Sequence, residues 1–143
     1  MSDALNGVSR APKPLVIVST TGTGGDIQPF IRVAQGLCQR GHRVLLLVPK
    51  FHEEAAEASG VPYETMGTRE EFQALLNNPD LWDERKGWGV IWNGVIPHLE
   101  GLRKLIQRLS AHGPCVVLSH PILVPVAALA RSVQPDLHIV AAY

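Results

Sequence analysis

A chain of 143 residues has the length of one domain and would bury about 70% of the surface its unfolded form exposes. With 45% apolar and 18% charged residues it reads as an ordinary globular domain, not a disordered segment. Thirteen basic against thirteen acidic side chains leave no surplus for phosphate, which argues against nucleic acid as a partner, and no apolar run is long enough to span a membrane.

In chain order, residues 1–13 read as a flexible leader ending in Pro12-Lys13-Pro14, with the domain over 14–143. The leader lacks the apolar centre of a signal peptide, so a cytoplasmic location is expected. Leu15 to Thr21 predicts a first strand, apolar without alternation, as in a parallel strand covered on both faces. A helix is expected from about Gln28 to Arg40, with Ile27, Phe30, Ile31, Ala34, Leu37 and Cys38 on one face, Pro29 in its first turn and Gly41 stopping it. His42 to Val48 is a second strand, Phe51 to Ser59 a short helix closed by Gly60, and Val61 to Thr65 a brief third strand. Thr68 and Glu71 form a capping box for a helix through Leu76, which Asn77-Asn78-Pro79 ends.

Beyond the charged knot Asp83-Glu84-Arg85-Lys86, the residues Trp88, Trp92, Val95, Leu99, Leu102, Ile106 and Leu109 fall on alternating four- and three-residue steps. They predict a long amphipathic helix, kinked or split at Pro97. Its stripe has two readings: plain packing against the sheet, or a tryptophan end (Trp88 and Trp92, with Trp82 nearby) that lines an apolar groove. Cys115 to Ser119 is a fourth strand, Leu123 to Arg131 a helix apolar on nearly every side, and Leu137 to Ala142 a last strand. This alternation predicts an α/β, Rossmann-like parallel sheet with helices on both faces. Cys38 and Cys115 sit in apolar patterns and read as buried thiols in a reduced compartment.

Gly22-Thr23-Gly24-Gly25-Asp26-Ile27-Gln28-Pro29 directly follows the first strand. Glycines there let backbone N–H groups approach a ligand, and the helix start behind them carries partial positive charge. A turn that only bound phosphate would gain nothing from Asp26, whereas one that takes a proton would. Asp26 has an ordinary reading too, as an N-cap. Ligands of parallel sheets bind beyond the carboxyl ends of the strands, and both Asp26 and His120, after the fourth strand, lie at that edge.

A dinucleotide-binding turn needs a third glycine where Ile27 stands and an acid after the second strand, where the chain reads Leu47-Val48-Pro49-Lys50. A P-loop needs Gly-Lys-Ser or Gly-Lys-Thr, which Gly25-Asp26-Ile27 does not supply. His42 and His52 read as scaffold, His98 and His112 as solvent-facing flanks of the long helix, and His138 as the opening of the last strand. No spacing of His or Cys matches a zinc site, and no metal is expected.

The turn Gly22 to Phe30, followed by Leu37-Cys38-Gln39-Arg40-Gly41-His42-Arg43-Val44, resembles the N-terminal domain of the GT-B glycosyltransferases, within them family 28 and the sterol glucosyltransferases. Leu81-Trp82-Asp83 and Gly87 to Trp92 are similar to rhamnosyltransferases that build rhamnolipids. The resemblance covers nearly the whole chain from Leu15 and implies the N-terminal half of a GT-B fold. It implies that this domain holds a small-molecule, lipid-like acceptor. A C-terminal domain, in the same chain or a partner chain, would hold a nucleotide sugar such as a UDP- or dTDP-sugar, and no other cofactor is implied. Peripheral contact with the inner face of the membrane is a further expectation.

The resemblance makes Asp26 the general base toward an acceptor hydroxyl. The glycine turn and the tryptophan end of the long helix make Thr23, Gly24, Gly25, Ile27, Gln28, Trp88 and Trp92 candidate substrate contacts. His120 is either a loop histidine or a partner that faces Asp26 and tunes its basicity. Two other classes stay open at this point: a non-catalytic binding module or partner subunit of a split transferase, and an NAD-binding domain.

Overall fold

The computed structural model describes residues 13–142. The leader expected over 1–13 lies, apart from Lys13, outside the described residues, as does Tyr143. Strands and helices alternate as β1 (Leu15–Ser19), α1 (Gly24–Gln39), β2 (Arg43–Pro49), α2 (Glu53–Ser59), β3 (Tyr63–Met66), α3 (Arg69–Leu76), α4 (Gly87–Ser110), β4 (Cys115–Ser119), α5 (Val124–Arg131) and β5 (His138–Ala141). Short 3-10 turns occupy Lys50–His52, Pro79–Trp82 and Pro121–Leu123. The strands form one parallel sheet in the order β3-β2-β1-β4-β5.

The unbroken apolar character of β1 and β2 follows from two cores, one on each face. Val16 and Val18 of β1 with Val44, Leu46 and Val48 of β2 meet Ile27, Phe30, Ile31 and Ala34 of α1 and Ala56 of α2. The alternate residues, Ile17 and Leu47 with Val117 of β4, meet Leu102 and Ile106 of α4 and Val126, Ala127 and Ala130 of α5. Successive side chains along a strand point to opposite faces, so a strand covered twice has no polar side to show.

Several boundaries differ from the sequence expectation, each for a local reason. α1 begins at Gly24 rather than Gln28, because Thr23 serves as N-cap with extended φ −84° and ψ 177°. Asp26 therefore stands inside the first turn, not at the cap. α4 runs unbroken from Gly87 through Pro97 to Ser110, its C-terminal half fixed on the sheet by Leu102 and Ile106. Of the two cysteines, Cys115 is buried but Cys38 is only half-buried. The capping box at Thr68 is present as expected: Glu71 N–H donates to Thr68 Oγ1 (3.1 Å) and Thr68 N–H to Glu71 Oε2 (2.8 Å). Gly41 and Gly60, at φ +80° and +73°, end α1 and α2.

Candidate functional site

The sheet order sets the site. From β1 the chain moves outward to β2 and β3 on one side, and β4 and β5 lie on the other, so the order reverses between β1 and β4. Their last residues, Ser19 and Ser119, are paired in register. His120 N–H donates to the Ser19 carbonyl at 2.8 Å, joining the two strand ends. The crevice outside such a reversal is where parallel sheets bind ligands.

Asp26 reaches this crevice from α1. Its Oδ2 accepts the Thr23 N–H at 2.8 Å and the Thr23 hydroxyl at 3.1 Å. Among the described residues Oδ1 has no hydrogen-bond partner, so one carboxylate oxygen is held and the other is uncommitted. The half-buried carboxyl lines a cavity of about 380 Å³ between α1 and the ends of β4 and β5. His120 lines the same cavity with Phe30, whose ring lies 5.9 Å away. No hydrogen bond or ion pair joins Asp26 to His120. They are linked through the cavity and through charge: burial lowers the His120 pKa, and the Asp26 carboxylate opposes that by raising it. His120 Nδ1 accepts the Ile122 N–H at 3.3 Å, so in the neutral ring Nε2 carries the proton.

The other expected contacts divide. Thr23, Gly24, Gly25 and Gln28 are exposed around the turn. A Cβ at Gly24 would meet nothing within 4 Å, and at Gly25 only Thr23 Oγ1 at 3.9 Å, so this surface is open to a ligand. Gly22 is different. At φ +113°, a Cβ there would fall 2.4 Å from Asp26 Oδ2. Ile27 is fully buried in the α1 core and offers no side-chain surface to a substrate.

A second cavity, of about 310 Å³, lies between α3 and α4 beyond the ends of β1, β2 and β3. Phe72, Leu75, Val95, Leu99, Leu102 and Leu123 make it largely apolar. An apolar cavity is thus present beside α4, but it is not the tryptophan-lined groove expected: Trp88 and Trp92 do not line it. The α4 residues packed on the core begin at Val95, and the helix start lies instead against the Pro79–Trp82 turn. Trp88 is 62% exposed and Trp92 half-buried. His98, expected to face solvent, lines this cavity and stands 3.3 Å from Glu71 Oε2. His52, expected as scaffold, bonds the Gly22 carbonyl through Nε2 at 2.9 Å. Neither pair has a spacing signature; only the fold brings residues 27 or 30 positions apart together.

No helix among the described residues is long and apolar enough to cross a membrane. Residues 16–117 match the glycosyltransferase family 28 N-terminal domain. The chain is 31% identical over 58 residues to the sterol 3-beta-glucosyltransferase of Saccharomyces cerevisiae (strain YJM789), which covers 40% of this chain and 5% of that protein. It is 38% identical over 48 residues to the O-mycaminosyltylonolide 6-deoxyallosyltransferase of Streptomyces fradiae, covering 34% of this chain and 11% of that protein. In fold it is similar to CalG4, the calicheamicin glycosyltransferase, at a TM-score of 0.65 and 13% identity, over 90% of this chain and 32% of that one. The chain thus spans a small part of the curated relatives and about a third of that structure. Its sheet is the N-terminal, Rossmann-like half of the GT-B fold, and the chain belongs to the glycosyltransferase family 28 N-terminal domain family.

Proposed function

We propose that this chain is the acceptor-binding domain of an inverting glycosyltransferase, with Asp26 as general base. The observation that carries this reading is the uncommitted Oδ1 of a carboxylate otherwise fixed by Thr23, at the point where the strand order reverses. The acceptor O–H attacks the anomeric carbon of a nucleotide sugar. The bond to the diphosphate oxygen breaks, its electron pair leaves with the diphosphate, and the hydroxyl proton passes to Asp26. One in-line displacement inverts the configuration. A C-terminal domain, in this chain's own protein or a partner, holds the donor, a UDP- or dTDP-sugar.

His120 shares a cavity with Asp26; burial lowers its pKa while the Asp26 carboxylate raises it, so the protonation of each group depends on the other. Thr23, Gly24, Gly25 and Gln28 offer an exposed polar and backbone surface to the reacting ends of the substrates. The apolar cavity between α3 and α4 takes the body of a lipid-like acceptor. A relative named for sterol glucosylation supports an apolar alcohol as its class. Trp88 and Trp82, 62% and 70% exposed, suit peripheral contact with a membrane from which such an acceptor is drawn.

The test is activity of the complete protein against a panel of nucleotide sugars with a fatty-alcohol acceptor. Asp26→Asn, which keeps the shape but cannot take the proton, should lower kcat by about 10²- to 10⁴-fold. A near-parental kcat would remove Asp26 from the role of base.

A further inference from the structure

We propose that His52 is a positioning residue that fixes the peptide plane holding Asp26 and ties it to the wall of the apolar cavity; this rests on the reading of Asp26 as base. The Gly22 carbonyl and the Thr23 N–H belong to one peptide group. His52 Nε2 lies 2.9 Å from that carbonyl oxygen, and the N–H at the other end of the plane donates to Asp26 Oδ2 at 2.8 Å. A carbonyl only accepts, so His52 Nε2 carries the proton. The three groups form a line of hydrogen bonds, imidazole to peptide to carboxylate, in which each bond polarises the next. Gly22 is the flexible point of this line: at φ +113° its backbone has freedom that only glycine enjoys, and the imidazole removes it.

The imidazole is itself held by aromatic rings. It packs edge-on to Phe72 of α3, centroids 5.3 Å apart, and to Phe51 at 5.2 Å, while Phe51 and Phe72 stack at 4.8 Å. Phe72 also lines the apolar cavity. An acceptor that packs on Phe72 therefore steadies the ring behind which His52 stands, and through it the Gly22–Thr23 peptide and the base. Binding of the apolar body and alignment of the carboxylate become parts of one contact chain.

The experiment uses the full-length enzyme and reads kcat, acceptor KM and Tm for His52→Ala, His52→Gln, Phe72→Leu, Asp26→Asn and the double variant. His52→Ala should lower kcat about 10- to 100-fold, the scale of a misplaced catalytic group, with acceptor KM little changed. His52→Gln, whose amide N–H still donates, should recover most of the loss. In the Asp26→Asn background, His52→Ala should change kcat by less than about twofold, because residues acting through one another are not additive. Phe72→Leu should raise acceptor KM and lower kcat together.

Parental kcat in His52→Ala, equal impairment in Ala and Gln variants, or a full further loss on top of Asp26→Asn would each overturn the proposal. If His52→Ala does not fold, His52→Gln and Phe72→Leu decide it: parental kcat in Phe72→Leu, or loss without recovery in the Gln variant, sinks it. Asp26→Asn at parental kcat would instead overturn the base itself, whereas an impaired Asp26→Asn beside an unaffected His52→Ala would remove His52 alone.

Discussion

Gly22 and Gly24 are two residues apart in one motif, yet they answer to different demands. Gly22 is fixed by the fold: its φ of +113° disfavours any L side chain, and a Cβ would land on the Asp26 carboxyl. Gly22→Ala should therefore destabilise the chain by about 1–3 kcal/mol, read as a shift of the urea midpoint, and should lower the activity of the full enzyme by displacing Asp26. Gly24→Ala meets open space and should leave stability within about 0.5 kcal/mol. Equal destabilisation by the two substitutions would show that the turn is uniformly strained and that Asp26 is not what Gly22 accommodates. The two readings of Asp26, helix start and proposed base, are compatible in this geometry. Oδ2 serves the start of the helix, which leaves Oδ1 for the role proposed above.

At the scale of elements, the start of α4 shows how one missing side chain sets an approach. A Cβ on buried Gly87 would sit 2.5 Å from the Leu81 carbonyl oxygen, a backbone atom that cannot swing aside. Gly87→Ala should cost about 1–3 kcal/mol of stability by forcing the Pro79–Trp82 turn away from the helix, measured by chemical denaturation. The neighbouring Gly89→Ala, with nothing within 4 Å, is its control.

The sequence made the Thr68 capping box and the glycine stops legible because each depends on contacts within a few residues, and the strands because burial on both faces leaves an unbroken apolar run. It misplaced the start of α1 because Gly24 and Gly25 are poor helix formers and Pro29 suits a first turn. The Thr23–Asp26 spacing that resolves it is the one recognised at Thr68 and Glu71. Pro97 misled in the opposite way: it removes one helical N–H, but Leu102 and Ile106 hold the following turns against the sheet. The Trp88 stripe had the right period and the wrong reach, since period says nothing about where along a helix its packing on the core begins. His52 with Gly22 and His98 with Glu71 left no trace at all in the sequence, being products of the crossovers.

For the whole molecule, the two cavities flank the ends of β1 and are lined by different elements: α1, β4 and β5 around Asp26, and α3 and α4 around the apolar space. With the acceptor assigned to the apolar cavity as proposed, this chain should bind an apolar alcohol by itself and a nucleoside diphosphate only weakly. In a thermal-shift measurement on the 143-residue chain, a long-chain or sterol-like alcohol at about 100 times its Kd should add about 2.7 kcal/mol, or roughly 6–11 °C in Tm for a domain of this size. UDP or dTDP at millimolar concentration should add far less. Ala74→Trp separates cavity binding from surface adsorption of a greasy ligand. Ala74 is exposed at the rim of the cavity, so the larger ring should leave Tm without ligand nearly unchanged while abolishing the alcohol's effect. An alcohol-induced shift that survives Ala74→Trp would place the acceptor elsewhere, and a larger shift from the diphosphate than from the alcohol would reverse the division of labour between the two halves.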